Sequence, residues 1–353
     1  MDWETFVGHH RQRGWFANAA RQERLASTFL MVGPSGIGKR TFARLVAKSL
    51  LCTRYEPTEF ATCGACEACV QIEAGTHPDL IEIKREKDKS NLSMEQLVGS
   101  DESRMREGLC YEIRMRPYSG RRKIAIVDDV DTLAVEGANS LLKTLEEPPP
   151  GALIFLIGTS EQRQLRTIRS RSQIVRFAPL DQDELALLIQ RHGLADNSAD
   201  ALRLARQSHG SLQLAAQVRD ESMSEFRALL IESLDSKPID FPRLSKSITA
   251  HLDSVAPDGQ ARRDQLKWVL DIAIDLYRES MRYRLGIASV LDTAIHPTPS
   301  EGVTSRNLQR LAPETLGALI QRTQQAREQV DRNVSPAALV EAWVTEVTGI
   351  SRA

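Results

Sequence analysis

The run Gly33-Pro34-Ser35-Gly36-Ile37-Gly38-Lys39 constrains the fold more than any other stretch of this chain. In a Gly-x4-Gly-Lys pattern a strand ends at the first glycine and a helix opens at the lysine. Backbone N–H groups and the helix dipole then face a phosphate, and the lysine adds a point charge. The flanks fit: Phe29-Leu30-Met31-Val32 is a short apolar run, and residues 41–51 read as a helix. The eighth position of the pattern ordinarily carries a Ser or Thr whose hydroxyl holds Mg²⁺. Here it is Arg40, and Thr41 comes one residue late, on another side of the helix. A cation at that place weakens Mg²⁺ binding. Gly33, Gly36, Gly38, Lys39, Arg40 and Thr41 therefore form a candidate phosphate loop with a damaged metal corner. The plainer alternative is a glycine-rich turn with no ligand.

Four of the five cysteines follow at once, Cys52, Cys63, Cys66 and Cys69. The x2 spacings place three thiols on one tight loop, and Cys52 ends the preceding helix. Four thiolates suit tetrahedral Zn²⁺ and leave no open position, so the site is expected to be structural. An iron–sulfur cluster fits the spacing in principle, but nothing in the chain gives it a redox task. His77 reads as a loop residue and Cys110 as a plain structural thiol.

Residues 79–83, 123–128, 152–158 and 173–177 read as further buried strands, and 136–146 as a helix stopped by Pro148-Pro149-Pro150. This alternation predicts a parallel sheet with helices on both faces. Asp128, at the end of a buried strand, fits an acid that holds Mg²⁺ through water. Asp129 stands where a Glu usually polarises the attacking water, one methylene shorter. Alternatively Asp128, Asp129 and Asp131 only cap the strand and open a helix. Residues 84–106 read as an exposed insertion. After Pro179 the strands stop. Residues 181–192, 198–207 and 211–219 read as short helices, and the rest as helical: 260–285, a proline loop at 296–300, and 313–332. A last helix opens at Ser335-Pro336, with Ser335 as N-cap. The domains expected are 1–178, 179–219 and 220–353.

Composition excludes several classes. The net charge of -1 gives no global basic field, so any nucleic-acid contact must be local or through partners. The cluster Arg114, Arg116, Arg121, Arg122 and Lys123 is either a phosphate track or a solvated loop. No apolar run reaches the roughly 18 residues of a membrane span, and the acidic start has no signal-peptide core. A reducing cytoplasm is expected.

Taken in order, these motifs resemble one family. After the glycine loop and cysteines come Thr76-His77-Pro78-Asp79-Leu80 and the acidic strand end. Next are Asn139-Ser140-Leu141-Leu142-Lys143-Thr144-Leu145-Glu146-Glu147-Pro148-Pro149 and Thr167-Ile168-Arg169-Ser170-Arg171. The chain resembles bacterial DNA polymerase III clamp-loader subunits of the AAA+ class, well over residues 5–215 and more weakly beyond. Residues 333–336, followed by an amphipathic helix, are similar to the end of the collar domain. The resemblance implies an α/β then all-α chain. Its parts would be an AAA+ P-loop parallel-sheet domain with a four-Cys zinc module, a small helical lid, and a C-terminal helical collar.

Within that family the departures favour the delta-prime type over the gamma/tau ATPases. They are Arg40, Asp129, and Gln213 where the ATPases carry a sensor arginine; no tau-like long tail follows. Ser170-Arg171-Ser172 matches the family's Ser-Arg-Cys motif, which implies that Arg171 is an arginine finger reaching a neighbour's ATP. Thr159, ending a strand, stands where a polar nucleotide sensor is expected. The implied partners are gamma/tau and delta subunits, the sliding clamp, and primed DNA through the complex. Intrinsic catalysis is expected to be weak or absent. Retained Lys39 leaves nucleotide binding open, while Arg40 argues against ATP with Mg²⁺. The rival readings are an active gamma/tau-like ATPase subunit and a standalone zinc-containing P-loop enzyme.

Overall fold

The structure, a computed structural model, describes residues 2–86, 89, 91–100, 102–103, 106–218, 221–255, 259–286, 306–331 and 334–352. Contacts divide the chain into two compact units, Met1–Ala215 and Ala216–Ala353.

The first unit contains α1 (His10–Arg21), β1 (Thr28–Val32), α2 (Lys39–Leu51), α3 (Glu67–Ala74) and β2 (Leu80–Ile83). These are followed by α4 (Met94–Val98), α5 (Leu109–Glu112), β3 (Lys123–Val127), α6 (Val135–Glu146) and β4 (Ala152–Gly158). Then come α7 (Arg166–Ser170), β5 (Gln173–Arg176), α8 (Gln182–Arg191), α9 (Ser198–Gln207) and the first four residues of α10 (Leu212–Val218). The five strands form one sheet in the order β2-β3-β4-β1-β5, every neighbouring pair parallel. The parallel sheet that the alternation of strands and helices predicts is therefore present.

Strand residues alternate faces, and the core follows that period. Phe29, Met31, Ile124, Ile126, Phe155 and Ile157 pack on one side with Phe16, Phe42 and Val46. Leu30, Val32, Ala125, Val127, Ile154 and Leu156 pack on the other with Leu97, Leu109 and Leu141. Both faces are covered, which is why the strands read as continuous apolar runs.

Residues 84–106 correct the expectation of an exposed insertion. Residues 87, 88, 90, 101, 104 and 105 lie outside the described set. Among the described ones, Leu92, Leu97 and Val98 are buried in the second core cluster. Four apolar residues within seven positions, Met94 included, needed a core, and the charged flanks masked that signal. The amino-terminal segment is also anchored. Trp3 is buried, donates from Nε1 to Ser49 Oγ at 2.7 Å, and lies under the Arg13 guanidinium.

The second unit is helical: α11 (Glu221–Asp235), α12 (Phe241–Val255), α13 (Gly259–Arg284), α14 (Pro313–Asp331) and α15 (Pro336–Arg352). Leu244, Ile248 and Leu252 form the buried stripe of α12. Trp343 of α15 is wholly buried and donates from Nε1 to Thr323 Oγ1 of α14 at 3.1 Å. Leu339 N–H donates to the Ser335 carbonyl, as at the predicted helix start. The proline loop at 296–300 lies outside the described residues. No helix among the described residues is long and apolar enough to cross a membrane.

Asp79 ties the edge of the sheet together. It is wholly buried, and its carboxylate accepts from the Tyr118 and Ser119 N–H groups at 2.7 and 2.8 Å, with Lys123 Nζ at 3.7 Å. Burial opposes the charge, but these bonds overcome it and hold the carboxyl below its usual value. Asp79→Ala removes the acceptor of two partly buried backbone N–H groups and the partner of Lys123, and is expected to cost about 3 kcal/mol in chemical denaturation. The contribution of the native carboxylate is present above the unfolded value of about 4 and is lost as pH falls below it.

Candidate functional site

The glycine loop lies where three parallel strands end. Gly33 follows β1, Asp128 follows β3, and Thr159 follows β4, so the sheet alone brings these residues to one edge. Gly33 has to be glycine, since a Cβ there would come within 2.3 Å of the Phe177 carbonyl oxygen. Gly36 and Gly38 take left-handed φ values of 73° and 94°. Ile37 is buried and pins the loop. His9 lies 2.7 Å by Nε2 from the Ile37 carbonyl. That contact was not read from the sequence, where a lone histidine gives no signal.

Lys39 is buried and donates from Nζ to the Gly33 and Pro34 carbonyls at 2.7 and 2.6 Å. Burial lowers its pKa to about 8, against the pull of Asp128, Asp131 and Asp129. The loop is covered from the other side. Leu212 N–H donates to the Gly36 carbonyl, and a Cβ at Gly36 would meet Ser211 Oγ at 2.3 Å and Gln213 Cβ at 2.4 Å. Gln213, read from the sequence as the lost sensor arginine, thus packs directly against the phosphate loop.

Arg40 reaches the acids. Its guanidinium stands 3.9 Å from Asp128 Oδ2 and 3.5 Å from Glu82 Oε1, and Arg44 Nε is 3.5 Å from the same Glu82 oxygen. Glu82 was missed by the sequence reading, although a carboxylate inside the apolar strand Leu80-Ile81-Glu82-Ile83 is a signal in itself. The Arg40 guanidinium therefore lies among the acids where the loop's Ser or Thr would assist a metal ion.

The remaining nucleotide-site candidates are occupied by their own chain. Asp128 Oδ1 accepts from Asp129 N–H at 3.0 Å, and Asp129 sits in the left-handed region at φ 56°, opening a short helical turn. Thr159 donates from both N–H and Oγ1 to Asp131 Oδ2, at 2.7 and 2.5 Å, and Gln164 donates to the other oxygen. Thr41 lies in the first turn of α2.

Arg171 lies just past α7. Its Nη2 is 2.6 Å from Glu146 Oε1, and its Nη1 donates to the Thr167 carbonyl at 3.0 Å and Ser170 Oγ at 3.2 Å. Ser172 Oγ donates back to the Ile168 carbonyl at 2.8 Å.

The four cysteines converge. Their sulfurs all lie within 4.8 Å of one another. Cys52–Cys63, Cys52–Cys66 and Cys63–Cys69 are 3.7, 3.8 and 3.9 Å apart. Metal–sulfur bonds of about 2.3 Å in a tetrahedron give edges of about 3.8 Å, so the residues fit a metal ion. Burial opposes the Cys66 thiolate, but hydrogen bonds from Thr53 and the Cys69 backbone draw its pKa down to about 5. Burial pushes the Cys69 thiol up to about 12. His77 is buried and accepts at Nδ1 from Asp79 N–H, a structural place.

The basic cluster separates into two groups. Arg121 donates from Nη1 to the Cys52 and Tyr55 carbonyls at 2.7 and 2.9 Å, fastening the cysteine loop, and Lys123 donates to the Pro78 carbonyl at 3.0 Å. A single phosphate track through all five residues is therefore not supported.

The family model described as "DNA polymerase III, delta subunit" matches residues 8–181. DNA polymerase III subunit delta' of Pseudomonas aeruginosa is 32% identical over 210 residues, covering 59% of this chain and 60% of that protein. Subunit delta' of Bacillus subtilis is 26% identical over 329 residues, covering 93% and 92%. The family match and these relatives support a likeness to the delta' subunits of DNA polymerase III, related to tau/gamma. The tau/gamma subunit of Haemophilus influenzae is 30% identical over 212 residues, covering 59% of this chain and 29% of that protein. The chain thus spans about three fifths of the P. aeruginosa protein and under a third of the H. influenzae one. A RuvB structure from Thermotoga maritima covers 83% of this chain and 87% of its own at 15% identity, with a TM-score of 0.40, too distant to bear on function.

Native mass spectrometry of the full chain at pH 8 is expected to find one metal ion. Acidification protonates the thiolates and releases it, and Cys69→Ser abolishes binding. A metal-free chain at pH 8, prepared without chelator, would refute the centre.

Proposed function

We propose that this chain is the delta-prime subunit of a DNA polymerase III clamp loader, with a silent nucleotide site of its own and an arginine finger for a neighbour. The observation that carries the reading is Arg40, paired with Asp128 and Glu82 at the metal corner of the loop. A fixed guanidinium neutralises these acids but cannot bridge the β- and γ-phosphate oxygens as Mg²⁺ does. Lys39, held by the loop carbonyls, and Thr159, held by Asp131, support the same conclusion. Phosphate binding without turnover is compatible with this arrangement, because Lys39 is retained.

In this reading Arg171 reaches the ATP of an adjacent gamma/tau subunit and stabilises charge on the transferring phosphoryl group. Residues 1–178 form the AAA+ domain, 179–219 the lid, and 220–353 the collar that joins gamma/tau and delta. The assembled loader places the sliding clamp on primed DNA in the bacterial cytoplasm. Zinc is the metal we assign to Cys52, Cys63, Cys66 and Cys69, since four thiolates close its tetrahedron and leave a purely structural ion. X-ray fluorescence of the purified chain should show the zinc edge, and an iron signal would exclude that assignment.

The decisive assay is ATP turnover by the reconstituted complex. Arg171→Ala in this chain is expected to slow hydrolysis at the adjoining site by about 10³-fold, at the lower end of what arginine fingers contribute. Lys39→Ala should leave turnover unchanged. If Lys39→Ala is the damaging change and the isolated chain hydrolyses ATP, the chain is an active ATPase subunit instead.

A further inference from the structure

The motif Leu141-Leu142-Lys143-Thr144-Leu145-Glu146-Glu147-Pro148-Pro149 has a role that family resemblance alone leaves unassigned. We infer that Glu146 is a positioning residue, holding the Arg171 guanidinium ready for the phosphates of a neighbouring subunit's nucleotide. The inference rests on the finger reading above and adds to it the group that orients the finger.

Both ends of the Glu146–Arg171 bridge are built on buried structure. Ala138, Leu141 and Leu145 of α6 lie in the core, so the last residue of that helix, Glu146, has a fixed origin. Pro148-Pro149-Pro150 stops the helix at once, and Ala152 N–H donates to the Pro149 carbonyl as β4 begins. On the other side, Ile168 is buried under α7, and Arg171 follows within one turn.

The acid is also oddly placed unless it has a cationic partner. A carboxylate in the last turn of a helix meets the negative end of the helix dipole, where Lys or Arg is favoured. Glu146 finds its compensation in Arg171, at 2.6 Å. The other arginines of this region use different acids. Arg163 lies 3.8 Å from Asp131, and Arg169 and Arg176 share Glu161 at 2.8 and 2.5 Å. Among the described residues Glu146 pairs with Arg171 alone. Arg166 is exposed and pairs with none, which makes it the natural control.

The three acceptors around Arg171 take up Nη1 and one N–H of Nη2. No acceptor among the described residues engages its Nε. The side chain is therefore held in one pose while part of its donor fork stays free for an anion. Holding a long, flexible cation in place before the reaction is the usual way a protein lowers the cost of using it at the transition state. The bridge is partly exposed and weak enough to exchange one bond for a phosphate.

The test is steady-state ATP hydrolysis by the reconstituted complex, with kcat and KM measured separately. Glu146→Ala should lower kcat between about tenfold and a hundredfold, with KM little changed, as expected when geometry rather than binding is lost. Glu146→Gln keeps an acceptor at the same place and should recover most of the rate. In the Arg171→Ala background, Glu146→Ala should have no further effect. Arg166→Ala should leave the rate unchanged, and unaltered thermal unfolding of Glu146→Ala excludes a general loss of structure.

A Glu146→Ala rate equal to or above wild type overturns the inference, as does a loss that simply adds to that of Arg171→Ala. Either result leaves the finger intact. If Arg171→Ala itself is harmless, the finger reading falls and the inference with it.

Discussion

The candidate nucleotide site depends on one charge arrangement, Arg40 between Asp128 and Glu82. Three elements meet there, because Arg40 opens α2, Asp128 follows β3, and Glu82 belongs to β2. Each contact is 3.5 Å or longer and partly screened, so none contributes much energy alone. Their importance is in occupancy. A divalent ion would have to displace a tethered guanidinium and then bind acids from which the loop hydroxyl is missing. The same self-sufficiency extends outward, to Lys39 on the loop carbonyls, Gly36 beneath Ser211 and Gln213, and Thr159 on Asp131. The loop keeps the shape of a phosphate cradle, while its own chain satisfies the groups that would make it work.

The cysteine cluster is mechanically continuous with that loop. The helix that starts at Lys39 ends at Leu51, and Cys52 follows it directly. Arg121, just ahead of β3, bonds the Cys52 and Tyr55 carbonyls. A metal at the four sulfurs would thus fix the far end of α2 against the entry to β3, the strand that leads to Asp128. This gives a structural ion a purpose without any chemistry of its own, in keeping with four thiolates and no open position.

Much of this was legible in the sequence, for physical reasons that differ by element. The strands β1, β3 and β4 are buried on both faces, so their apolar runs gave them away, and Pro148 marked the end of α6. The cysteine centre was legible because thiolate ligation depends on spacing along a short loop. Other features depended on tertiary placement. The burial of Leu92, Leu97 and Val98 was hidden by charged flanks. Arg121 and Lys123 looked like a solvent-facing basic run, but backbone carbonyls distant in sequence claim them. Glu82 and Asp131 became site residues only when parallel pairing brought β2 beside β3, and the turn after β3 beside the end of β4. No local pattern carries that information.

The two halves of the proposed role place opposite physical demands on one domain. A nucleotide site that turns over must bind, release and exchange a metal with each cycle, so its polar groups cannot all be committed to one another. A finger needs the reverse, because its value lies in being held before the phosphate arrives. In this chain the commitment is uniform. Lys39, Arg40, Thr159 and Arg171 each hold hydrogen-bonding or ionic partners within the same unit. For the first three, that commitment works against catalysis in the chain's own site. For Arg171, in the proposed role, it would favour catalysis at a neighbour's. In the proposed role, one physical feature, internal satisfaction of polar groups along the sheet edge, would both quiet this chain's own site and prepare a donor for a neighbour's.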